Sequence, residues 1–440
     1  MGDRRLHGRA RLTISRGVRG LSMRPGAALT RAAALAWASA RGVAAGGGWR
    51  RRAWIGLVGL VGAAFLLTAR GHGLRLSPAE MVSARHRHDL IAWEVSNLPA
   101  KWLSRLVEFL PWTDSLADRQ PVVLDRYREL TVQVREARGN LERAVARGEG
   151  TTGEAAALRD ALLVLEVEQR SLRDAVEELL ERAVSAVVVE EGLNVAGGFI
   201  WPPVDVRLGL TPDLLVTSPR DRIERLESVL LKPQAPAAAI EEMESRLLAE
   251  ENLSAVVVKT GGVATYPAVI PDDADLPLLL ETAAHEWLHA YLFFHPLGQR
   301  MFRDDDMFTL NETLANVFGR EVGRRAYEHL TGERLPAAPA HGTEAEDAEA
   351  SAFTFDRFMR ETRLRTDGLL EKGDIEGAER YMEERRLELN SYGYSIRKIN
   401  QAWFAFHGTY ADSPASVSPI AGELEELRRL VPDIGGMVRL

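Results

Sequence analysis

Three side chains in the stretch Glu281-Thr-Ala-Ala-His-Glu-Trp-Leu-His-Ala290 have the types and spacing to do chemistry: His285, Glu286 and His289. On a helix, positions i and i+4 lie one above the other on one face, so both imidazoles reach a single metal ion. Glu286 projects toward the open side of that ion, where it can take a proton from a water. A chain with 10 histidines and 63 acidic residues in 440 acquires H-E-x-x-H by accident roughly 0.03 times, an upper bound, so the context has to agree.

The elements that must position these residues are legible around them. Asp272, Asp273 and Asp275 precede Leu276-Pro277, an N-cap followed by proline in the first turn. His295-Pro296 closes the run. Leu278, Leu279, Ala283, Leu288, Tyr291 and Leu292 make the helix over 276–294 apolar nearly all round, which predicts burial. Imidazoles inside a buried helix need partners; backbone hydrogen bonds are the alternative to a metal. Downstream, Glu312 in Leu310-Asn-Glu-Thr-Leu-Ala-Asn316 sits on another helix, off the stripe formed by Leu310, Leu314, Val317 and Phe318. Two histidines and one carboxylate are the ligand set of a catalytic zinc site, with a fourth position open.

With H-E-x-x-H on one helix and N-E-x-x-A on the next, residues 250–325 resemble the gluzincins, a clan of zinc metallopeptidases. The resemblance implies a zincin-like fold, one Zn2+ per chain, His285, His289 and Glu312 as metal ligands, and Glu286 as general base. Many gluzincins carry an aspartate four residues after the ligand glutamate; here Asn316 stands there, and its amide oxygen or the carboxylate of Glu281 is expected to hold a ligand imidazole. The G-x-M-E-N element of the aminopeptidase subtype is missing from Gly262-Val-Ala-Thr-Tyr266. Related zinc peptidases bring a Tyr or His from a late helix over the substrate oxygen, and the aromatic run 391–411 offers His407 and Tyr410, with Tyr394 in reserve.

Ala255–Lys259 and Val263–Ile270 are β-branched runs flanking Gly261-Gly262, which predicts a hairpin whose second run, holding Pro267, is an edge open to an extended peptide. Val204–Leu210 and Leu214–Thr217 read as strands, and 220–231 and 237–250 as helices. Upstream, apolar residues spaced by three and four from Tyr127 to Ala144 and from Leu158 to Leu179 flank Arg147-Gly-Glu-Gly-Thr-Thr-Gly153. They predict a long antiparallel helical hairpin with a coiled-coil seam, acting as a brace or as a partner-binding arm. Residues 77–110 read as two short helices with Trp93, Trp102, Leu106, Phe109 and Trp112 in the core; His86 and His88, two apart, point to different faces.

The first 52 residues hold twelve Arg and one acidic residue, against 43 basic and 62 acidic residues in the rest. Between them lies an uncharged apolar segment, 53–69, preceded by Arg50-Arg51-Arg52, which fits a membrane anchor with its domain delivered outside the cytoplasm. A cleaved signal segment and secretion compete with that reading. Nucleic-acid binding does not fit an acidic chain without interleaved aromatics, and with no cysteine any metal is held by N and O ligands.

The chain is therefore expected to be α+β and predominantly helical. A disordered Arg-rich segment (1–52) and the anchor or signal (53–69) come first. A helical region with the hairpin (76–190), a zincin-like core with a small mixed or antiparallel sheet (191–330), a loop (331–350) and a helical part completing the site (351–440) follow. The expected function is a membrane-anchored or exported zinc metallopeptidase acting on protein or peptide substrates through a metal-activated water. A degenerate peptidase-fold scaffold using the hairpin for partners, and a zinc hydrolase for non-peptide amides, are the alternatives.

Overall fold

The computed structural model describes residues 76–89, 120–335 except 149 and 151, and 353–440. The expected anchor, the Arg-rich segment, the Trp-bearing helices and most of the 331–350 loop lie outside the described residues. Among the described residues no helix is long and apolar enough to cross a membrane.

The protein is α+β and predominantly helical. Helix α1 (Pro78–Ser83) starts at Ser77, whose hydroxyl accepts from the Glu80 N–H while Glu80 reaches back to the Ser77 N–H. Helices α2 (Gln120–Ala146) and α3 (Gly153–Glu190) form the expected hairpin. Leu124, Tyr127, Leu130 and Val134 are buried on the first arm, and Val176, Leu180, Val184 and Val187 on the second. With 38 residues, α3 is about 57 Å long at 1.5 Å per residue.

The strands fall into two small sheets. Strands β2 (Asp213–Pro219), β3 (Glu227–Leu231) and β4 (Leu253–Lys259) form an antiparallel sheet in the order β3-β2-β4, with α4 (Ala237–Glu251) connecting the last two. Alternation sends Leu214, Val216 and Val256 to one face and Leu215, Val229, Leu231 and Val257 to the other. The first face packs on Phe358, Met359, Trp403 and Phe404; the second packs on Ala79, Met243 and Leu247. Strand β1 (Val206–Gly209) pairs in parallel with β5 (Ala268–Pro271).

Three expectations are corrected here. Residues 227–231 form a strand, not a helix: local composition favours helix, but Val229 and Leu231 gain a buried face by pairing with β2. The runs at 255–270 are not a hairpin, because β4 and β5 belong to different sheets. The outer side of β4 is taken by side chains: Glu244 accepts from the Val257 N–H (2.8 Å) and Asn400 donates to the Ala255 carbonyl (2.9 Å). Nor is β5 an open edge. Its Val269 N–H and carbonyl are both bonded to Val263 (3.1 and 3.0 Å), and β1 lies on the other side.

The largest core cluster gathers the hairpin, β1, β5 and two later helices, α5 (Leu276–Leu292) and, after the short α6 (Pro296–Gln299), α7 (Asp305–Thr331). Helices α8 (Phe355–Leu370), α9 (Ile375–Ser391), α10 (Gln401–His407), α11 (Ile420–Leu430) and α12 (Ile434–Arg439) complete the chain.

Here the hairpin acts as a brace. Carboxylates of α3 satisfy the free side of β1: Glu181 accepts from the Val206 N–H (3.0 Å) and Glu177 from the Leu208 N–H (2.8 Å). Gln169 and Tyr127 donate to the Asp272 carbonyl (2.9 and 3.2 Å), Arg173 pairs with the Asp272 carboxylate, and Arg138 pairs with Asp273 (3.2 Å). Two of the three aspartates expected to cap α5 are thus held by the hairpin instead. The strand-to-helix turn that launches α5 is clamped at its start.

Candidate metal centre

Helices α5 and α7 carry the site, and two glycines set their separation. A Cβ on Gly323 would lie 2.6 Å from the Glu281 Cα and N, and one on Gly319 would lie 2.8 Å from the Glu281 carbonyl oxygen and 3.1 Å from the His285 Cβ. Spaced by four, these glycines share one face of α7 and let the two backbones touch. On its other flank α5 is pinned by Trp287, whose indole N–H donates to the Pro202 carbonyl (2.8 Å).

This approach brings His285, His289 and Glu312 together, the group expected from sequence. The two Nε2 atoms are 3.0 Å apart, and the Glu312 Oε2 lies 3.7 Å from that of His285 and 3.6 Å from that of His289. Ligands 2.0–2.1 Å from a tetrahedral ion are separated by about 3.3–3.4 Å, so these donors already stand near the edges of such a tetrahedron. The three residues could hold a metal ion.

The imidazoles and the carboxylate of this group are electrostatically coupled. Burial alone would lower the His289 pKa, but the adjacent Glu312 charge overrides it and carries it up to about 9. Burial pushes the Glu312 carboxyl upward, and the His289 and His285 imidazoles reverse this and hold it well below the carboxylate range. His289 Nδ1 donates to the Asn311 Oδ1 (2.8 Å), so Nε2 is the ring nitrogen that faces the centre.

Asn311 therefore has the role expected of Asn316 or Glu281. Asn316 instead donates to Asp412 (3.0 Å), which Arg320 also binds (2.5 Å). Glu281 is half-buried near Arg320 and His285, and burial raises its pKa. The adjacent Asn-Glu pair was visible in sequence, but only the crossing of α5 over α7 shows which imidazole the amide meets.

Glu286 is buried beside the ligands, and burial holds its pKa above the usual carboxylate value. Among the described residues no donor hydrogen-bonds its carboxylate. Gly262 lies against it: a Cβ there would be 2.3 Å from Oε1 and 2.9 Å from the Thr282 Cγ2. The close approach needs glycine, and the Gly-Gly pair, read as a turn, gave no hint of it.

The late aromatics divide. Tyr410 faces the site; burial first, then the Glu312 and Glu286 charges, hold its phenol protonated well above its ordinary pKa. His407 packs its ring on Trp403 (4.0 Å between centres) and Phe406 (5.0 Å), and burial alone lowers its pKa to about 4. Tyr394 sits in a separate cluster with Phe353 and Phe355. The expected pair thus contributes one residue to the centre, Tyr410. A residue that sequence reasoning did not single out, Arg225, stands near Glu312 and Tyr410.

Compared with known proteins, the chain matches no family model, no curated protein and no solved structure.

Proposed function

We propose that the chain is a zinc metallopeptidase of zincin-like fold, of the gluzincin type, hydrolysing amide bonds in proteins or peptides. The observation that carries this reading is Glu286, a buried carboxylate with no hydrogen-bond donor among the described residues, set beside a three-donor group of near-tetrahedral spacing. Zinc suits two imidazoles and a carboxylate, and when bound it supplies a Lewis acid that brings the pKa of a water to about 7.

The chain's own residues supply the rest. His285, His289 and Glu312 would hold the ion, and Asn311 keeps His289 in the tautomer that offers Nε2. Glu286, its proton affinity raised by burial, takes a proton from the attacking water and passes it to the departing amine nitrogen. Tyr410 keeps its phenolic proton and donates a hydrogen bond to the carbonyl oxygen as it becomes negative. The apolar segment 53–69 and the Arg triplet before it support delivery outside the cytoplasm, anchored or secreted.

Glu286→Gln is the test. Turnover of a quenched-fluorescence peptide library by the zinc-loaded protein is expected to fall by about 10²–10⁴, with zinc content unchanged. Undiminished turnover in that variant would refute the assigned role, and a wild-type protein that holds zinc but cleaves nothing would favour the scaffold.

A further inference from the structure

Arg225 lies in the irregular connection between β2 and β3, and its surroundings are unlike those of other sheltered arginines in this chain. Arg173 pairs with Asp272, Arg320 with Asp412, Arg325 with Glu191, Arg363 with Asp367 and Arg385 with Glu388. Among the described residues no carboxylate stands at ion-pair distance from Arg225. Its Nε donates to the Ser228 Oγ (2.8 Å), and its guanidinium carbon lies 4.7 Å from the centre of the Phe308 ring and 6.0 Å from that of Phe406.

Each ring belongs to a neighbour of a residue of the centre. Phe308 is one turn before Glu312 on α7, a spacing that sets neighbouring Cβ atoms about 5–6 Å apart. Phe406 stands edge-on to Tyr410 (6.2 Å). Burial is the largest influence on the guanidinium, and the charges that act on it are those of Glu312, Tyr410 and Asp305. The two rings and Ser228 thus fix a half-buried cation beside the site, while its terminal N–H groups find no acceptor among the described residues. Such partly shielded donors are open to an acceptor that a ligand brings, and a carboxylate matches their fork bidentately.

We propose that Arg225 receives the terminal carboxylate of a peptide, making this centre a carboxypeptidase that releases one or two residues from the C-terminus. The assignment rests on the hydrolytic reading above. Arg225 covers Phe308, which stands one turn from Glu312 on α7; at about 3.5 Å per extended residue, one or two residues are the length assigned between the amide and the carboxylate. Water adds across that amide: its oxygen bonds to the carbonyl carbon, the C–N bond breaks, and the amine nitrogen takes the proton relayed by Glu286. No other reactant is needed.

The probe is a pool of N-acetylated pentapeptides randomised at the last three positions, prepared as free acids and as C-terminal amides. Binding is measured by calorimetry on the zinc-loaded full chain carrying Glu286→Gln. The acids are expected to bind at least tenfold tighter than the amides, a preference lost when Arg225→Met is added and partly restored by Arg225→Lys. Wild-type digests read by mass spectrometry are expected to lose one or two residues from the acids and to turn over the amides at least a hundredfold more slowly. Equal binding of both pools, with internal cuts in both, would overturn this proposal and leave the hydrolase standing. An acid preference that survives Arg225→Met in a protein melting at the wild-type temperature would overturn the role of Arg225. No cleavage of either pool and no difference in binding would remove both readings.

Discussion

Zinc bound by His289 would displace a proton, and the neighbouring Glu312 charge sets how strongly that proton is held. In the metal-free protein His289 retains it up to about pH 9 because Glu312 lies 3.6 Å away. At pH 7 the imidazole is therefore about two units below its midpoint. At 1.36 kcal/mol per unit, freeing Nε2 costs about 3 kcal/mol, or on the order of a hundredfold in apparent affinity. Zinc affinity, measured by chelator competition, should rise about tenfold per pH unit from 7 toward 9 and then level off. Calorimetry at pH 7 in two buffers of different ionisation heat should count about one proton released from His289 per zinc. The same shift acts on stability. The folded pKa of His289 lies above its unfolded value of 6.5, so its contribution is full below pH 6.5 and is lost as pH rises through about 9. The melting temperature of the metal-free protein should fall over that window, and the increment added by zinc should grow. A flat affinity between pH 6.5 and 8.5 with no proton released would refute the reasoning.

Two glycine substitutions separate the base from the scaffold. Gly262→Ala places a methyl 2.3 Å from the Glu286 Oε1, so the carboxylate must move about 1 Å; peptide turnover should drop about a hundredfold with zinc content and melting temperature nearly unchanged. Unaltered turnover would show that Glu286 is not held where the structure has it. Gly323→Ala instead sets a methyl against the Glu281 backbone at 2.6 Å, which only separation of α5 and α7 relieves. Thermal melts should show a loss of about 1–3 kcal/mol, and chelator competition a weaker zinc site, because Glu312 moves away from the histidines.

What the sequence disclosed follows from the range of the forces involved. The hairpin, the helix bearing His285 and His289, and the ligand Glu312 all announce themselves through local periodicity and fixed spacing, and all stand where expected. Strand 227–231 did not, because Glu and Leu there favour helix locally and only pairing with β2 reverses it. The supposed hairpin at 255–270 failed for a similar reason. Glu244 from the preceding helix and Asn400 from far along the chain occupy the side of β4 that a partner strand would need. Within the site, the grouping of His285, His289 and Glu312 was legible and its supports were not. Asn311 gains its meaning from the crossing of two helices, Gly262 from contact with a carboxylate 24 residues on, and Arg225 from rings on α7 and α10. His407 and Tyr410 share one aromatic run; the chain path after α10 takes Tyr410 to the carboxylates and leaves His407 against Trp403.

The central claim is a metal held by His285, His289 and Glu312, and metal content tests it most directly. Plasma mass spectrometry on the full chain, purified without chelator, should find about one zinc per chain in the wild type and essentially none in His289→Ala. A folded wild-type protein without metal, still empty after incubation with zinc, would contradict the account.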